Sequence, residues 1–380
     1  MLQYKVKYFC AKSAIRITAH FLKGAEYMNE IYFPDIVGNN DLLYRLSKDI
    51  SENRLAHAYI LEGQKGSGRH TAATQVAAAI ECEARASFNS PSFFGNERKI
   101  IPCGKCPSCL KILDGKSPDV KIIGLEEDKV TMGVDTIRNL KNDMYTAPND
   151  LSVKVYIIED ADRMTVQAQN AFLLSLEEPP EYVLFFLLCE NSSDLIETVR
   201  SRAPTLRTEH IPEDEIEKYL LSHDKRAESV KNFSLSDWKT LLSIASGSIG
   251  YAAELLDDKK RNEVFELRRS ASDLIVALSR SSKKSAIETV SSFGTKRQDV
   301  IIRLNLIETA LRDLIILKKC ESAALCFYTD RDEAQEISDR FTAKSLFTLY
   351  DAVSLALNDL ELNSNVRLTL MNMMRNAKLI

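Results

Sequence analysis

A glycine-rich segment with phosphate-binding chemistry lies in the first quarter of the chain. The segment GQKGSGRHT follows the apolar run AYIL, and a stretch with helical spacing comes after it. Glycines let backbone N–H groups surround an anion at the start of a helix, and Gly63, Gly66 and Gly68 have suitable spacing. Phosphoryl transfer also needs a lysine for the phosphates and a Ser or Thr hydroxyl for magnesium, but Arg69 and His70 hold these positions. We therefore expect weak nucleotide binding or none, and no hydrolysis.

Two adjacent acids end a second apolar run, KVYIIE. Glu159 and Asp160 lie where an enzyme of this type carries first an aspartate near magnesium and then a glutamate that activates water. The two acids are transposed here, which displaces both carboxylates by more than about 1 Å, and catalysis is sensitive to shifts of that size. Adjacent acids are also common on solvated loops. The pair nevertheless agrees with a degenerate nucleotide site.

Four cysteines are candidate ligands for one metal ion. Cys103, Cys106 and Cys109 have the CxxCxxC spacing with which a turn presents several thiolates to a single ion, and tetrahedral zinc needs a fourth ligand. Cys82, at the end of the preceding helical stretch, can supply it. Since no histidine and no suitably placed acid lies near these cysteines, closed structural coordination is favoured over catalysis. Free thiols or a redox pair are the alternative.

The segments that must position these residues alternate between strand-like and helical patterns. Short apolar runs predict strands buried on both faces and paired in parallel: 58–61, 120–124, 154–159 and 182–189. Stretches rich in Ala, Leu, Gln and Glu predict the intervening helices: 71–84, 134–145 and 166–178. Strands and helices in alternation predict an α/β domain with a parallel sheet and helices on both of its faces.

The remainder of the chain has helical patterns, and a charged run divides it. Leu, Ala, Lys, Glu and Ser dominate after Pro212, and the run DDKKRNE forms a plausible boundary because it offers no apolar residues to a core. We predict four parts: an N-terminal extension, an α/β domain with the cysteine insertion 82–109, a small helical domain and a helical bundle, at 1–29, 30–210, 211–256 and 257–380.

Composition excludes several classes of protein. The 380 residues are 45% hydrophobic and 27% charged, an ordinary globular composition. The longest purely apolar run, 182–189, is shorter than the ~20 residues of a membrane helix. The net charge of −4 argues against a protein that binds nucleic acid through bulk positive charge. With its clustered cysteines, the chain is expected to be cytoplasmic.

Together these motifs resemble the bacterial DNA polymerase III clamp-loader subunits. The resemblance is strong over about 33–207 and loose over the helical remainder. It rests on RLAHAYILEG, the four-cysteine insertion, GVDTIR, KVYIIEDADRMTVQAQNAFLLSLEEPP and TVRSRA. It implies an AAA+ domain, a helical lid and a helical collar through which a hetero-pentameric ring assembles. It also implies a part in loading a sliding clamp onto primed DNA, beside gamma or tau and delta subunits that bind ATP.

The resemblance also assigns roles to single residues. Ser201 and Arg202 match a family motif whose arginine reaches the γ-phosphate held by the neighbouring subunit, so they are the candidate catalytic residues in trans; Ala203 replaces the usual cysteine. Hydrolysing gamma and tau subunits keep the phosphate-loop lysine and threonine, whereas delta-prime subunits often lose them. The lid arginine that senses nucleotide is also replaced, by Gly250. These departures favour a delta-prime-type subunit without ATPase activity of its own.

Two other functions are compatible with parts of the sequence. The first is an ATP-hydrolysing subunit of gamma or tau type. The second is a zinc-dependent nucleic-acid binding module, which the near-neutral charge and the lack of an aromatic and basic stripe disfavour.

Overall fold

The structure is a computed structural model that describes residues 33, 36–84, 102–126, 129–280, 282–320, 325–361 and 364–379. The predicted N-terminal extension, residues 1–29, lies outside the described residues, as does the middle of the cysteine insertion. The chain divides into two compact units, the first ending at His210 and the second spanning Ile211–Ile380. Each unit has hydrophobic core of its own.

The first unit is built on a parallel sheet. Among the residues that the structure describes, its five strands are β1 (Ala58–Glu62), β2 (Val120–Ile123), β3 (Lys154–Ile158), β4 (Val183–Cys189) and β5 (Thr205–Arg207). They lie in the order β2-β3-β4-β1-β5, and every neighbouring pair is parallel. The central strands are buried almost throughout because helices cover both faces of the sheet.

In the described part of this unit, six helices accompany the strands: α1 (Asn40–Ser51), α2 (Arg69–Ile80), α3 (Pro107–Leu113), α4 (Val134–Met144), α5 (Val166–Glu177) and α6 (Glu197–Arg200). Alternate side chains of β1 enter two different cores. Tyr59 and Leu61 pack with the alanines of α2, and Ala58 and Ile60 pack on the face that α4 and α5 cover. Because the strands are parallel, the carboxyl ends of β1, β3 and β4 meet at one edge of the sheet, where candidate residues follow each strand.

The second unit consists of helices in its described part. They are α7 (Glu213–His223), α8 (Lys225–Phe233), α9 (Leu235–Ala245), α10 (Ile249–Glu254), α11 (Asp258–Ser279), α12 (Lys283–Ser291), α13 (Arg297–Leu317), α14 (Arg331–Asp339), α15 (Ala343–Glu361) and α16 (Val366–Asn376). Four successive helices, α8 to α11, begin at an Asp or Ser whose side chain accepts a backbone N–H: Asp224, Ser234, Ser248 and Asp257. Such caps fix where helices begin.

The predicted fold class, a parallel α/β domain followed by helical regions, is confirmed. The four predicted strands correspond to β1 to β4, while the short β5 was not predicted. Helix α2 begins at Arg69 and not at residue 71, because the glycines before it end the turn earlier. The subdivision of the helical region at residue 256 stays a prediction. Within the described part of the chain, none of the helices is both long and apolar enough to cross a membrane.

Candidate functional site

The turn between β1 and α2 has the backbone of a phosphate loop. Gly66 and Gly68 have φ of 78° and 94°, values that glycine adopts without strain. At Gly63 a Cβ atom would lie 1.7 Å from Thr208 Oγ1, so no larger residue fits. The Thr208 hydroxyl also donates to Ser67 Oγ over 2.9 Å. Thr208, which follows β5, therefore contacts the loop at its start and near its end.

Arg69 begins α2 at the lysine position of the loop, and its side chain points into the protein. The residue is only 8% exposed, and Nη1 has no hydrogen-bond partner among the described residues. Burial raises the pKa of the Cys189 thiol, at the end of β4, to about 12, and the charge of Arg69 opposes this rise. The guanidinium thus lies close to the sheet edge, where a buried charge without a full set of partners is costly.

His70 and Glu159 bring the two predicted halves of the nucleotide site together. Nδ1 of His70 lies 2.9 Å from Oε1 of Glu159, and both side chains are about half exposed. His70 has the motif position of a magnesium-binding hydroxyl, and its imidazole contacts the acid. Imidazole is a poor ligand for magnesium. Asp160 follows in a left-handed conformation with φ of 48°. Its carbonyl oxygen accepts the N–H of Arg163 in a short 3₁₀ turn.

A third acid at this edge was not predicted. Glu62 ends β1, and its Oε2 accepts hydrogen bonds from Ser192 Oγ over 2.7 Å and from Arg207 Nε over 3.1 Å. The signal was present in the sequence, since an acid closes the apolar run before Gly63. Glu62 links β5 to the segment after β4, and so helps to fix the ends of three neighbouring strands.

Arg202 lies just after α6, and its guanidinium is bound by its own chain on two sides. Nη1 donates to the Thr198 carbonyl oxygen over 2.9 Å, and Nη2 lies 2.5 Å from Glu177 Oε1. Ser201 Oγ donates to the same carbonyl oxygen over 3.1 Å. The side chain of Arg202 is 33% exposed, so part of it faces solvent. The contact with Glu177 was not predicted.

The four predicted metal-binding cysteines form one cluster. Their sulfur atoms all lie within 4.8 Å of one another. Backbone N–H groups of Cys103 and Cys106 donate to the sulfurs of Cys82 and Cys103, each over 3.4 Å. Tetrahedral zinc with Zn–S bonds of about 2.3 Å needs sulfurs about 3.8 Å apart, so a small contraction completes the coordination. The cluster can hold a metal ion.

The thiols of the cluster differ in acidity. Backbone N–H donors of Lys105 and Cys106 lower the pKa of Cys103 to about 6. Burial raises the pKa of Cys82 and of Cys109. Metal ions bind thiolates, and two buried thiols need a cation nearby before they ionise. A closed site whose sulfurs are largely buried suits a structural ion better than a catalytic one.

Gly250, where the resemblance implies a nucleotide-sensing arginine, is the second residue of α10, and Ser248 caps this helix by accepting the N–H of Tyr251 over 3.1 Å. A glycine at this place offers no side chain to a nucleotide.

Unit one is a parallel α/β domain with a phosphate-loop turn between its first strand and the helix that follows. Residues 38–212 match the family described as "DNA polymerase III, delta subunit". The chain is 23% identical to DNA polymerase III subunit tau of Bacillus subtilis over 88% of its length and 59% of the relative's. It is 29% identical to subunit delta' of the same species over 61% of this chain and 63% of the relative.

Among solved structures, a gamma-subunit-related DNA polymerase III protein of Thermotoga maritima is 19% identical, with a TM-score of 0.41 over 90% of this chain and 99% of that one. The chain spans between 28% and 63% of the length of the curated relatives named by these comparisons. The resemblance of this chain to DNA polymerase III clamp-loader subunits is confirmed by the family and the curated relatives.

Proposed function

We propose that the chain is a delta-prime-type subunit of a DNA polymerase III clamp loader. In this proposal it takes a fixed place in a hetero-pentameric ring with gamma or tau and delta subunits, and the ring loads a sliding clamp onto primed DNA in the cytoplasm. The chain does not hydrolyse ATP. It offers Arg202 to the ATP bound by its neighbour.

The pair of His70 and Glu159 carries the proposal. A hydrolysing subunit needs a hydroxyl on magnesium and free acids at the end of β3. Here an imidazole lies 2.9 Å from the first acid, and the lysine position holds an inward-pointing arginine. These replacements leave no hydroxyl for the magnesium ion and exchange the compact ammonium for a buried guanidinium, while the loop backbone stays in place.

Arg202 supplies the second part of the proposed role. A planar cation given in trans stabilises the charge of phosphoryl transfer and makes hydrolysis depend on assembly. The guanidinium is partly exposed and is oriented by three partners of its own chain, Thr198, Ser201 and Glu177. In the proposal, Ser201 restricts the motion of this turn through its hydrogen bond to the Thr198 carbonyl oxygen.

The cysteine cluster completes the proposal as a structural zinc site. Cys82, Cys103, Cys106 and Cys109 would hold the ion, which would join the start of α3 to the end of α2. With four sulfur ligands the coordination is full, and no position remains for water.

A gamma- or tau-type subunit is the second candidate, because the similarity to tau extends over 88% of the chain. Hydrolysis by the isolated chain separates the two candidates. The chain is purified alone and with the sliding clamp and the other loader subunits of its source. Our proposal predicts co-purification and no steady ATP hydrolysis by the chain alone. Hydrolysis that Arg69→Ala abolishes would reject the proposal and support the gamma or tau type.

A further inference from the structure

We propose that Glu177 is a positioning residue for Arg202, so that the trans arginine works best in the orientation that this carboxylate gives it. The inference rests on the proposed function. It concerns the last residue of α5, for which neither the motif at 201–203 nor the phosphate loop gives a role.

Both terminal nitrogens of the guanidinium are fixed within the chain. Nη2 of Arg202 meets Glu177 at 2.5 Å, and Nη1 meets the Thr198 carbonyl at 2.9 Å. Nη1 also donates to Ser201 Oγ over 3.4 Å. Contacts on both terminal nitrogens set the plane of the group as well as its place. Nε has no hydrogen-bond partner among the residues that the structure describes, and further N–H bonds of the group stay available for phosphate oxygens.

Helix α5 also holds the chain segment that leads to Arg202. Gln169, buried in α5, accepts the N–H of Ile196 over 2.7 Å and donates to the carbonyl oxygen of Asp194 over 3.3 Å. One helix thus fixes the base of the segment through Gln169 and the tip of the arginine through Glu177. These two attachments fix the position of the guanidinium relative to α5.

Stability alone does not account for the pair. Glu177 and Arg202 are 43% and 33% exposed, and ion pairs this open to water add little to the stability of a fold. Orientation has a larger effect, since preorganised donors act on developing charge without rearrangement during the reaction. The pair therefore fits a role in placing the arginine.

The test is the DNA-stimulated ATPase of the complete complex, reconstituted with Glu177→Gln and Glu177→Ala variants of this chain. Glutamine keeps the shape and an acceptor oxygen but loses the charge, so we expect kcat at the site served by Arg202 to fall in the order parent, glutamine, alanine. The expected loss with glutamine is about fivefold, with KM for ATP unchanged. Glu178→Gln, which changes the adjacent exposed acid, is the matched control and should behave as the parent.

A double-mutant cycle separates positioning from a general effect on the fold. If Glu177 acts through Arg202, Glu177→Gln has no further effect on a chain that already carries Arg202→Ala. A further loss in that background would overturn the inference, as would a Glu177→Gln complex as active as the parent. If Arg202→Ala itself leaves the ATPase unchanged, the proposed function fails instead, so the two failures are distinguishable.

Discussion

Replacing Cys109 by serine is expected to abolish metal binding and to lower the stability of the first unit. Cys109 is fully buried in α3, and its sulfur lies 3.7 Å from the Ala78 carbonyl oxygen in α2. It also lies within 4.8 Å of the other three sulfurs of the cluster. Serine removes one of four ligands and places a hydroxyl in an apolar core, where a poorly bonded polar group is costly.

The size of the effect follows from linkage. An ion that binds only the folded chain stabilises it by about 4 kcal/mol when its free concentration is roughly 1,000 times its dissociation constant. In a folding unit of about 150–250 residues, each kcal/mol shifts the unfolding temperature by about 2–4 °C. Loss of the metal ion is therefore expected to lower the unfolding temperature by about 8–16 °C.

The assay combines metal analysis with thermal unfolding. Parent protein, Cys109→Ser and Cys320→Ser, a control outside the cluster, are each measured with and without a chelator. We expect about one zinc per chain in the parent and in the control, and none in Cys109→Ser. The chelator should destabilise the parent and Cys320→Ser but not Cys109→Ser. A parent that is free of metal, or one that unfolds at the same temperature after chelation, would refute the argument.

Two further predictions concern the partly buried carboxylate of Asp143 and the phosphate loop. Burial alone would raise the pKa of the Asp143 carboxyl, but Lys121, Tyr156 and Lys154 outweigh it and lower the pKa from 3.8 to about 2. A carboxyl group whose pKa is lower in the folded state stabilises the fold at pH values above its unfolded-state pKa. The free energy of unfolding should therefore fall by about 2 kcal/mol as the pH falls from roughly 4 to 2. Urea unfolding at several pH values should show that Asp143→Asn lacks this loss. If the variant loses as much stability between roughly pH 4 and 2 as the parent does, Asp143 is not its source. Restoring the loop with Arg69→Lys and His70→Thr should tighten magnesium-dependent ATP binding at least about tenfold, the effect of one charge-assisted hydrogen bond. Equilibrium binding of a fluorescent ATP analogue measures this, and equal affinity of variant and parent would refute it.

The sequence predicts the sheet where burial is continuous. Strand β4 is apolar along its whole length, and β3 is apolar after its first residue, Lys154, because both faces are covered, so composition indicates both strands. β5 has three residues, of which only Leu206 is buried, and this is too short a pattern to recognise. Its place beside β1 depends on tertiary pairing, which local sequence does not contain.

The sequence predicts which residues belong to the site, but it does not predict which side chains they contact. The glycines, the acids after β3 and the cysteine spacing are each local patterns. In contrast, His70 meets Glu159 across 89 positions of sequence, and Arg202 meets Glu177 across 25. Such contacts follow from the arrangement of strands and helices. The inward direction of Arg69 likewise depends on the space at the sheet edge, and the residue type alone gives no sign of it.

The central claim is that this chain contributes an arginine to its neighbour's active site and has no active site of its own. The most direct measurement is the DNA-stimulated ATPase of the reconstituted complex containing the parent chain, Arg202→Ala or Arg200→Ala. Arginine fingers accelerate hydrolysis by about 10³–10⁵ at the site that they serve. We predict that Arg202→Ala silences the neighbour's site while the complex still assembles, and that Arg200→Ala matches the parent. An assembled Arg202→Ala complex with the parent's rate would contradict the account.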